Sequence, residues 1–210
     1  MPFVVCPILP FPNIHWWSFA AAGPELLADD TEHFEKMSFR NRYMVCGADG
    51  PLTLSIPIVQ GRQQRRPMSQ VQIDNKTKWQ VQHWRTLESV YNRSPYFEFY
   101  AQELQTLYRE PFESLVDFSM QSIRLLGKLS GIATNIRQAT QYQKRYPDVA
   151  ADIRADFRSK DYAAEPGRFP VYHQTFEDRH GFLPNLSLLD LLAAEGRNAK
   201  IYLPKPTLQQ

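Results

Sequence analysis

An excess of basic side chains is missing from this sequence. Lys and Arg number 24 against 22 for Asp and Glu, so the formal net charge is only +2. Nucleic-acid-binding domains usually carry a clustered surplus of Lys and Arg, whereas here only residues 62–66 are locally basic. The composition therefore argues against a nucleic-acid partner.

Cysteine is also scarce, with Cys6 and Cys46 the only two in the chain. Both lie in apolar, strand-like surroundings, and neither belongs to a Cys-x-x-Cys pair or has a His beside it. This pattern is typical of buried thiols rather than of a disulfide framework, a cysteine nucleophile or a zinc site. We expect no bound metal and no cofactor.

A long apolar run is absent from the N-terminus. The first ten residues have no basic start and are interrupted by three prolines, unlike a secretion signal or a membrane helix. We therefore expect a cytoplasmic protein without membrane insertion. Its 210 residues, 43% of them hydrophobic and 22% charged, fit a single domain that folds alone.

Portable catalytic motifs are missing too. The sequence contains no GxGxxG, GxxxxGK[ST], GxSxG or HExxH string, so the enzyme classes that these strings identify lose support. Catalysis is not excluded, because many transferases carry no such motif.

The residue pattern predicts an α/β fold, with a mixed sheet, an N-terminal strand–loop–helix unit and a helical second half. The first 75 residues look mainly sheet-forming. The predicted elements are a strand at 3–8, a helix at 15–27, extended segments near Phe34, at 43–46 and at 52–58, and a hairpin turn at 47–50.

Residues 76–130 look helical. Helices are predicted to begin near Asn75 or Thr77 and at Ser94-Pro95, and a third spans residues 112–129. Residues 142–170 look peripheral, with a weak helix at 148–158. In the terminal helix region, 171–200, either Asn185 or Ser187 is a candidate helix cap.

The first candidate site is the polar segment 34–42. If it is extended, Lys36, Ser38, Arg40 and Arg42 share one face and Asn41 lies on the other. Three cations on one face favour a bound phosphate or carboxylate. The alternative is a solvated edge strand with scattered salt bridges.

Two histidines give further candidates. His83 shares a helix face with Trp79 and Tyr91 and has a suitable pKa for proton transfer, but it can equally be a core residue. His15 follows Asn13 where a strand ends and a helix starts, the place where open α/β sheets bind ligands. Its alternative role is a helix-start residue packed beside aromatics.

A fourth group precedes the terminal helix and has the weakest chemistry. It comprises Tyr172, Gln174, His180 and Asn185.

The string Lys36-Met-Ser38-Phe39-Arg40-Asn41-Arg42 resembles the Lys-x-Ser-aromatic-Arg-Asn-Arg signature of the WbqC-like protein family. Other matching positions spread along nearly the whole chain outside residues 142–168 and the C-terminal tail. They are Pro57, Gly61, Pro67, Ile73-Asp74, Trp79-Gln80, His83-Trp84-Arg85, Tyr91, Ser94-Pro95-Tyr96-Phe97, Gly181-Phe182, Pro184-Asn185-Leu186-Ser187 and Asp190-Leu-Leu.

This resemblance implies a bacterial protein from a surface-polysaccharide gene cluster that acts as a transferase on sugars, with aminoacyl or glycyl transfer as one suggested reaction. We accordingly expect a group-transfer enzyme for a nucleotide-linked or phosphorylated sugar. Formation of a homo-oligomer is a possibility that the sequence leaves open.

The expected roles divide the candidate residues into two sets. Lys36, Arg40 and Arg42 would bind the phosphate or the acyl carboxylate, and His83 or His15 would act as general base. Lys36 also belongs to the catalytic set, and the expected substrate-binding set is completed by Asn13, Ser38, Asn41, Trp79, Tyr91 and Asn185.

The rival hypothesis is a non-catalytic carbohydrate- or nucleotide-binding module. Its stacking faces would come from Trp79, Trp84, Tyr91 and Tyr96.

Overall fold

The structure, a computed structural model, describes residues 3–60, 66–158 and 168–208. Gly61 and most of the basic stretch 62–66 lie outside the described residues, as do 159–167 of the segment predicted to be peripheral. Within the described part, the chain combines a four-stranded parallel sheet, a separate two-stranded hairpin and helices. The predicted α/β fold is confirmed, while the single domain stays a prediction.

The helices and strands are as follows. In chain order they are β1 (Phe3–Pro7), α1 (Ile14–Ala21), β2 (Glu25–Asp29), β3 (Arg42–Gly47), β4 (Gly50–Ser55), α2 (Trp79–Tyr91), α3 (Phe97–Arg109), α4 (Leu115–Ser130), β5 (Ile136–Gln138), β6 (Val149–Asp152), α5 (Glu177–His180) and α6 (Leu188–Glu195).

The parallel sheet has the strand order β5-β2-β1-β6. Val4, Val5 and Cys6 of β1 are completely buried, because β1 is a central strand covered on both faces. The predicted first strand is confirmed, and both cysteines are buried free thiols as expected. No helix of the described residues is long and apolar enough to span a membrane.

The predicted helix at 15–27 is wrong in its second half. Helix α1 ends at Ala21, and residues 25–29 form β2 instead. The break falls at Gly23, whose φ is 87°, and Pro24, which has no N–H to donate to a helix. Periodicity could not reveal β2, because a short apolar run reads equally as a helix or a buried strand.

The predicted weak helix at 148–158 is also wrong. Residues 149–152 form β6, which pairs with β1, and Ala150, Ile153 and Phe157 are buried. This part of the segment is therefore not peripheral. The pairing joins residues about 146 apart in sequence and leaves no local signal.

The polar segment 34–42 is not an extended strand. Residues Phe39–Asn41 form a turn of 3₁₀ helix, and the Ser38 hydroxyl caps it by accepting the Arg40 N–H at 3.3 Å. Such short side chains compete with strand pairing by bonding to their own backbone. Lys36, Ser38 and the two arginines therefore do not share one strand face.

The remaining elements agree with the sequence patterns. The hairpin of β3 and β4 turns at residues 47–50, and the three predicted helices of the second half correspond to α2, α3 and α4. Of the two cap candidates, Ser187 caps α6, because its hydroxyl accepts the Leu189 N–H at 3.2 Å.

Candidate functional site

A cleft of about 630 Å³ opens at the carboxyl edge of the parallel sheet, and we call it the edge cleft. Strands β2 and β6 end at Asp29 and Asp152, and the segments that follow them form much of its wall. Open α/β sheets bind ligands at this edge. The cleft is lined by Glu32, His33, Phe34, Glu35, Arg40, Tyr142, Lys144, Asp152, Arg154, Ala155 and Arg158.

Arg154 ties the ends of two strands together. Its guanidinium donates to Asp29 at 2.8 Å and to Asp152 at 2.6 Å. It also donates to the backbone carbonyls of Gln143 and Lys144, at 3.0 and 3.3 Å. The Asp29 side chain is fully buried, so this ion pair keeps a buried carboxylate compensated.

Arg40 has protein partners for its charge. It is only 3% exposed, and its guanidinium donates to Glu32 at 2.7 Å and to Glu35 at 3.0 Å. Arg158 contacts the other oxygen of Glu35 at 3.3 Å. Each arginine of the edge cleft thus already has a carboxylate partner, unlike the cation row that we predicted.

Glu32 is a residue of the edge cleft that is suited to exchange a proton at neutral pH. Burial raises the pKa of its carboxyl to about 7, because the loss of water outweighs the attraction of Arg40, and Asp29 adds to the rise. General acid–base groups work best with a pKa near the operating pH. Sequence reasoning missed Glu32, because it did not recognise that a strand ends three residues earlier.

His15 lies beside the edge cleft but has both ring nitrogens engaged. Its Nε2 is 3.0 Å from an Asp156 carboxylate oxygen, and its Nδ1 is 3.2 Å from a guanidinium nitrogen of Arg168. Since arginine only donates, Nδ1 accepts and Nε2 donates its proton to Asp156. His15 therefore anchors the loop after β6 to α1.

The predicted contacts Asn13 and Asn185 meet at the start of α1. The Asn13 side chain accepts the Trp16 N–H at 3.2 Å, and the Asn185 side chain accepts the His15 N–H at 2.9 Å. Both side chains thus satisfy N–H groups that a helix start otherwise leaves for a ligand. The structure brings these residues together as helix caps.

His83, Trp79 and Tyr91 are buried core residues. The Tyr43 hydroxyl lies 3.1 Å from His83 Nδ1 and 2.9 Å from the Tyr108 hydroxyl, while the Trp79 ring packs 5.1 Å from the imidazole. Burial lowers the pKa of His83 to about 4. His83 therefore lies in the core, as its alternative role requires, and none of the three lines the edge cleft.

The other members of the predicted segment are dispersed. Lys36 is exposed, Ser38 is a buried cap, and Arg42 begins β3 half-buried. The Asn41 side-chain amide donates to a backbone carbonyl after β4 at 2.8 Å. Arg40 alone among the predicted site residues lines the edge cleft.

Two residues of the fourth predicted group, Tyr172 and Gln174, surround a buried carboxylate. Asp190 accepts the hydroxyls of Tyr91 and Tyr172 at 2.9 and 2.7 Å and the Gln174 amide at 2.9 Å. Burial raises the pKa of Asp190. His180 lies elsewhere, 3.0 Å from the carbonyl of Gly47, so the group does not form one site.

Comparison with known proteins identifies the family of the chain. The model of the WbqC-like protein family matches residues 10–177, which include the lining of the edge cleft. The chain is similar to the uncharacterized protein Rv1507c of Mycobacterium tuberculosis, with 26% identity over 214 residues that cover 90% of this chain and 91% of that protein. No solved structure matches it. The chain belongs to the WbqC-like protein family.

Proposed function

We propose that the edge cleft is the substrate site of a group-transfer enzyme in bacterial surface-polysaccharide synthesis. Its substrate is a nucleotide-linked or phosphorylated sugar, and the group transferred is an acyl group such as an aminoacyl or glycyl unit. The observation that carries this proposal is Glu32, a carboxyl with a pKa of about 7 in an open cleft at the carboxyl edge of a parallel sheet.

The dimensions and rim of the edge cleft support a phosphorylated sugar. Its volume of about 630 Å³ falls within the roughly 300–1,000 Å³ of small-molecule sites. Lys144 and Arg158 are exposed at the rim. Because exposed ion pairs contribute little, Arg158 can leave Glu35 for a phosphate or a carboxylate at small cost.

Glu32 would act as the general base. An amine or hydroxyl of the acceptor forms its bond to the acyl carbon while the bond from that carbon to the leaving group breaks. The proton of the attacking group passes to the ionised Glu32, whose carboxylate Arg40 holds in place at 2.7 Å. This role replaces the one that the sequence predicted for His83 or His15.

A non-catalytic sugar-binding module is the second candidate, and the paired arginines favour it. A wall in which each arginine already has a carboxylate partner offers balanced donors and acceptors for hydroxyl groups. Tyr142, 57% exposed at the rim, supplies a stacking face. Trp79 and Tyr91, which were expected to stack on a ligand, are buried.

Binding at the edge cleft is tested by thermal shift with nucleotide sugars, sugar phosphates and aminoacyl donors. A ligand that occupies the site raises the melting temperature of the wild type, and the rise shrinks in Arg158→Ala and Lys144→Ala. Arg124→Ala, which removes an exposed arginine of α4, keeps the full rise. The assignment fails if no ligand stabilises the protein or if the rim variants respond like the wild type.

Glu32→Gln separates the enzyme from the module. For an enzyme, this variant still gains stability from the ligand but loses turnover of donor and acceptor by roughly 100-fold or more. For a module, the wild type shows ligand stabilisation without product in a mass-spectrometric assay of both substrates.

A further inference from the structure

A second concave surface lies along α2, away from the edge cleft. Three depressions of about 250, 380 and 340 Å³ adjoin one another there. The first two share Arg93, the last two share Ser89, and the first and third share Phe176. They therefore form one continuous surface, which we call the α2 groove.

The arginines of the α2 groove differ from those of the edge cleft. Arg85, Arg93 and Arg179 line it and are exposed. Across residues 3–60, 66–158 and 168–208, no carboxylate oxygen lies within 4.0 Å of their guanidinium nitrogens. Arg179 instead lies 5.6 Å above the Phe176 ring. Their charges are available to a ligand.

The spacing of these charges indicates an extended ligand. Arg85 lies within α2, and Arg93 lies two residues after its end. Their separation of eight residues corresponds to about 12 Å at 1.5 Å per residue. Hydroxyl and amide side chains also line the groove. They belong to Thr86, Ser89, Asn92, Ser94 and Thr175.

Two carboxylates narrow the choice of ligand. Glu88 and Asp178 also line the α2 groove, and they repel a chain with a negative charge on every unit. Negative groups separated by hydroxyl-bearing units fit better, because the outer groups reach the arginines while hydroxyls face the polar side chains between.

The α2 groove is separate from the edge cleft. Gly47, at the end of β3, lines the groove, whereas Arg40, two residues before β3, lines the cleft. The six residues of β3 span on the order of 15–20 Å at about 3.3 Å per residue. A small sugar in the cleft does not also fill the groove.

We propose that the α2 groove is a second binding site for an extended, hydroxyl-bearing anionic chain of the acidic-oligosaccharide type. This site goes beyond the proposed function, since the groove can bind such a chain whether or not the edge cleft is catalytic.

Isothermal titration tests the site with a sugar trimer in which two glucuronic acid units flank one uncharged N-acetylglucosamine unit. The full-length wild type binds the trimer, and the double variant Arg85→Ala/Arg93→Ala binds at least tenfold more weakly. Arg124→Ala binds like the wild type. Because both groove arginines are exposed, circular dichroism should show the double variant folded. The proposal is overturned if the wild type does not bind or if the double variant binds equally well.

Three further measurements decide the class of the ligand and the location of its site. Glu88→Gln should bind the trimer severalfold more tightly, because a repelling carboxylate is removed, and inorganic tripolyphosphate should bind the wild type more weakly than the trimer does. Tighter binding of tripolyphosphate would overturn the spacing argument. Arg158→Ala in the edge cleft leaves trimer binding unchanged, whereas a loss there would place the trimer in the cleft and overturn the assignment.

Discussion

The edge cleft and the aromatic cluster around His83 each bury a titratable side chain, yet they do so in opposite settings. In the cleft, burial raises the pKa of Glu32 to about 7 beside charged groups and open solvent. In the cluster, burial lowers the pKa of His83 to about 4 among packed rings. Loss of water favours the neutral form in both, so the shift alone does not identify a site. The open cleft at a strand end distinguishes Glu32.

The two regions also use polar groups differently. The cluster satisfies its hydroxyls within the core, where Tyr43 joins His83 and Tyr108. In the cleft, two nearly buried arginines, Arg40 and Arg154, form ion pairs with carboxylates. Arg154 thereby connects the ends of β2 and β6. We therefore expect the cluster to change stability with pH through the imidazole of His83. The stability of the cleft should depend on both partners of each buried ion pair.

The largest effect is expected at the buried ion pair of the edge cleft. Arg154→Ala leaves Asp29, which is fully buried, without its cation and should lower the free energy of unfolding by about 3–5 kcal/mol. Arg137→Ala, which breaks the exposed pair with Glu25, should cost about 1 kcal/mol or less. Urea denaturation at pH 7 measures both, and equal losses would remove the distinction between buried and exposed pairs.

The aromatic cluster should lose stability as the pH falls. The pKa of His83 is about 4 in the folded protein against an ordinary 6.5. Its contribution to the free energy of unfolding is therefore complete above pH 6.5 and disappears as the pH falls through about 4. The loss amounts to about 3 kcal/mol. Between pH 7 and pH 4, the free energy of unfolding of His83→Phe should therefore fall by about 3 kcal/mol less than that of the wild type. A parallel decline in both proteins would show that His83 does not titrate on unfolding.

The edge cleft should show the opposite pH dependence. The pKa of Glu32 rises from 4.5 to about 7 on folding. Its contribution to the free energy of unfolding is therefore complete below pH 4.5 and is lost as the pH rises through about 7. We expect about 2 kcal/mol, less than for His83, because solvent reaches 11% of the side chain. Glu32→Gln should remove this slope, and Glu98→Gln, exposed on α3, should retain it. A slope that survives in Glu32→Gln belongs to another group.

The smallest effect is expected at the rim of the edge cleft. Arg158 contacts Glu35 at 3.3 Å, and half of its side chain is exposed. Arg158→Ala should therefore change the free energy of unfolding by about 0.5 kcal/mol or less. Urea denaturation beside Arg154→Ala checks this, and a loss of several kcal/mol would show that the rim is part of the structural network.

Local patterns were enough to predict much of the fold. The first strand, the β3–β4 hairpin and helices α2, α3 and α4 each have a periodicity or a turn that their own residues determine. Strands β2 and β6 have no such signal, because each is a short buried run and β6 pairs with a strand about 146 residues earlier.

The candidate site was largely missed for the same reason. Glu32 and Arg154 matter because they follow β2 and β6, so missing the strands concealed both residues. Arg40 was predicted as an anion ligand, but its partners Glu32 and Glu35 could not be predicted from spacing. The motif residue His83 was predicted from its chemistry, and only packing shows that it is sealed in the core.

The pairing of β6 with β1 also has a consequence for the order in which the protein forms. During synthesis, β1 emerges first, but its second neighbour emerges only when residues 149–152 have been made. Contacts between residues so far apart in sequence slow folding, because the chain must close a large loop before these contacts can stabilise it. The edge cleft needs Arg154 and Arg158 from just beyond β6. A nascent chain therefore has no complete cleft until Arg158 has been added.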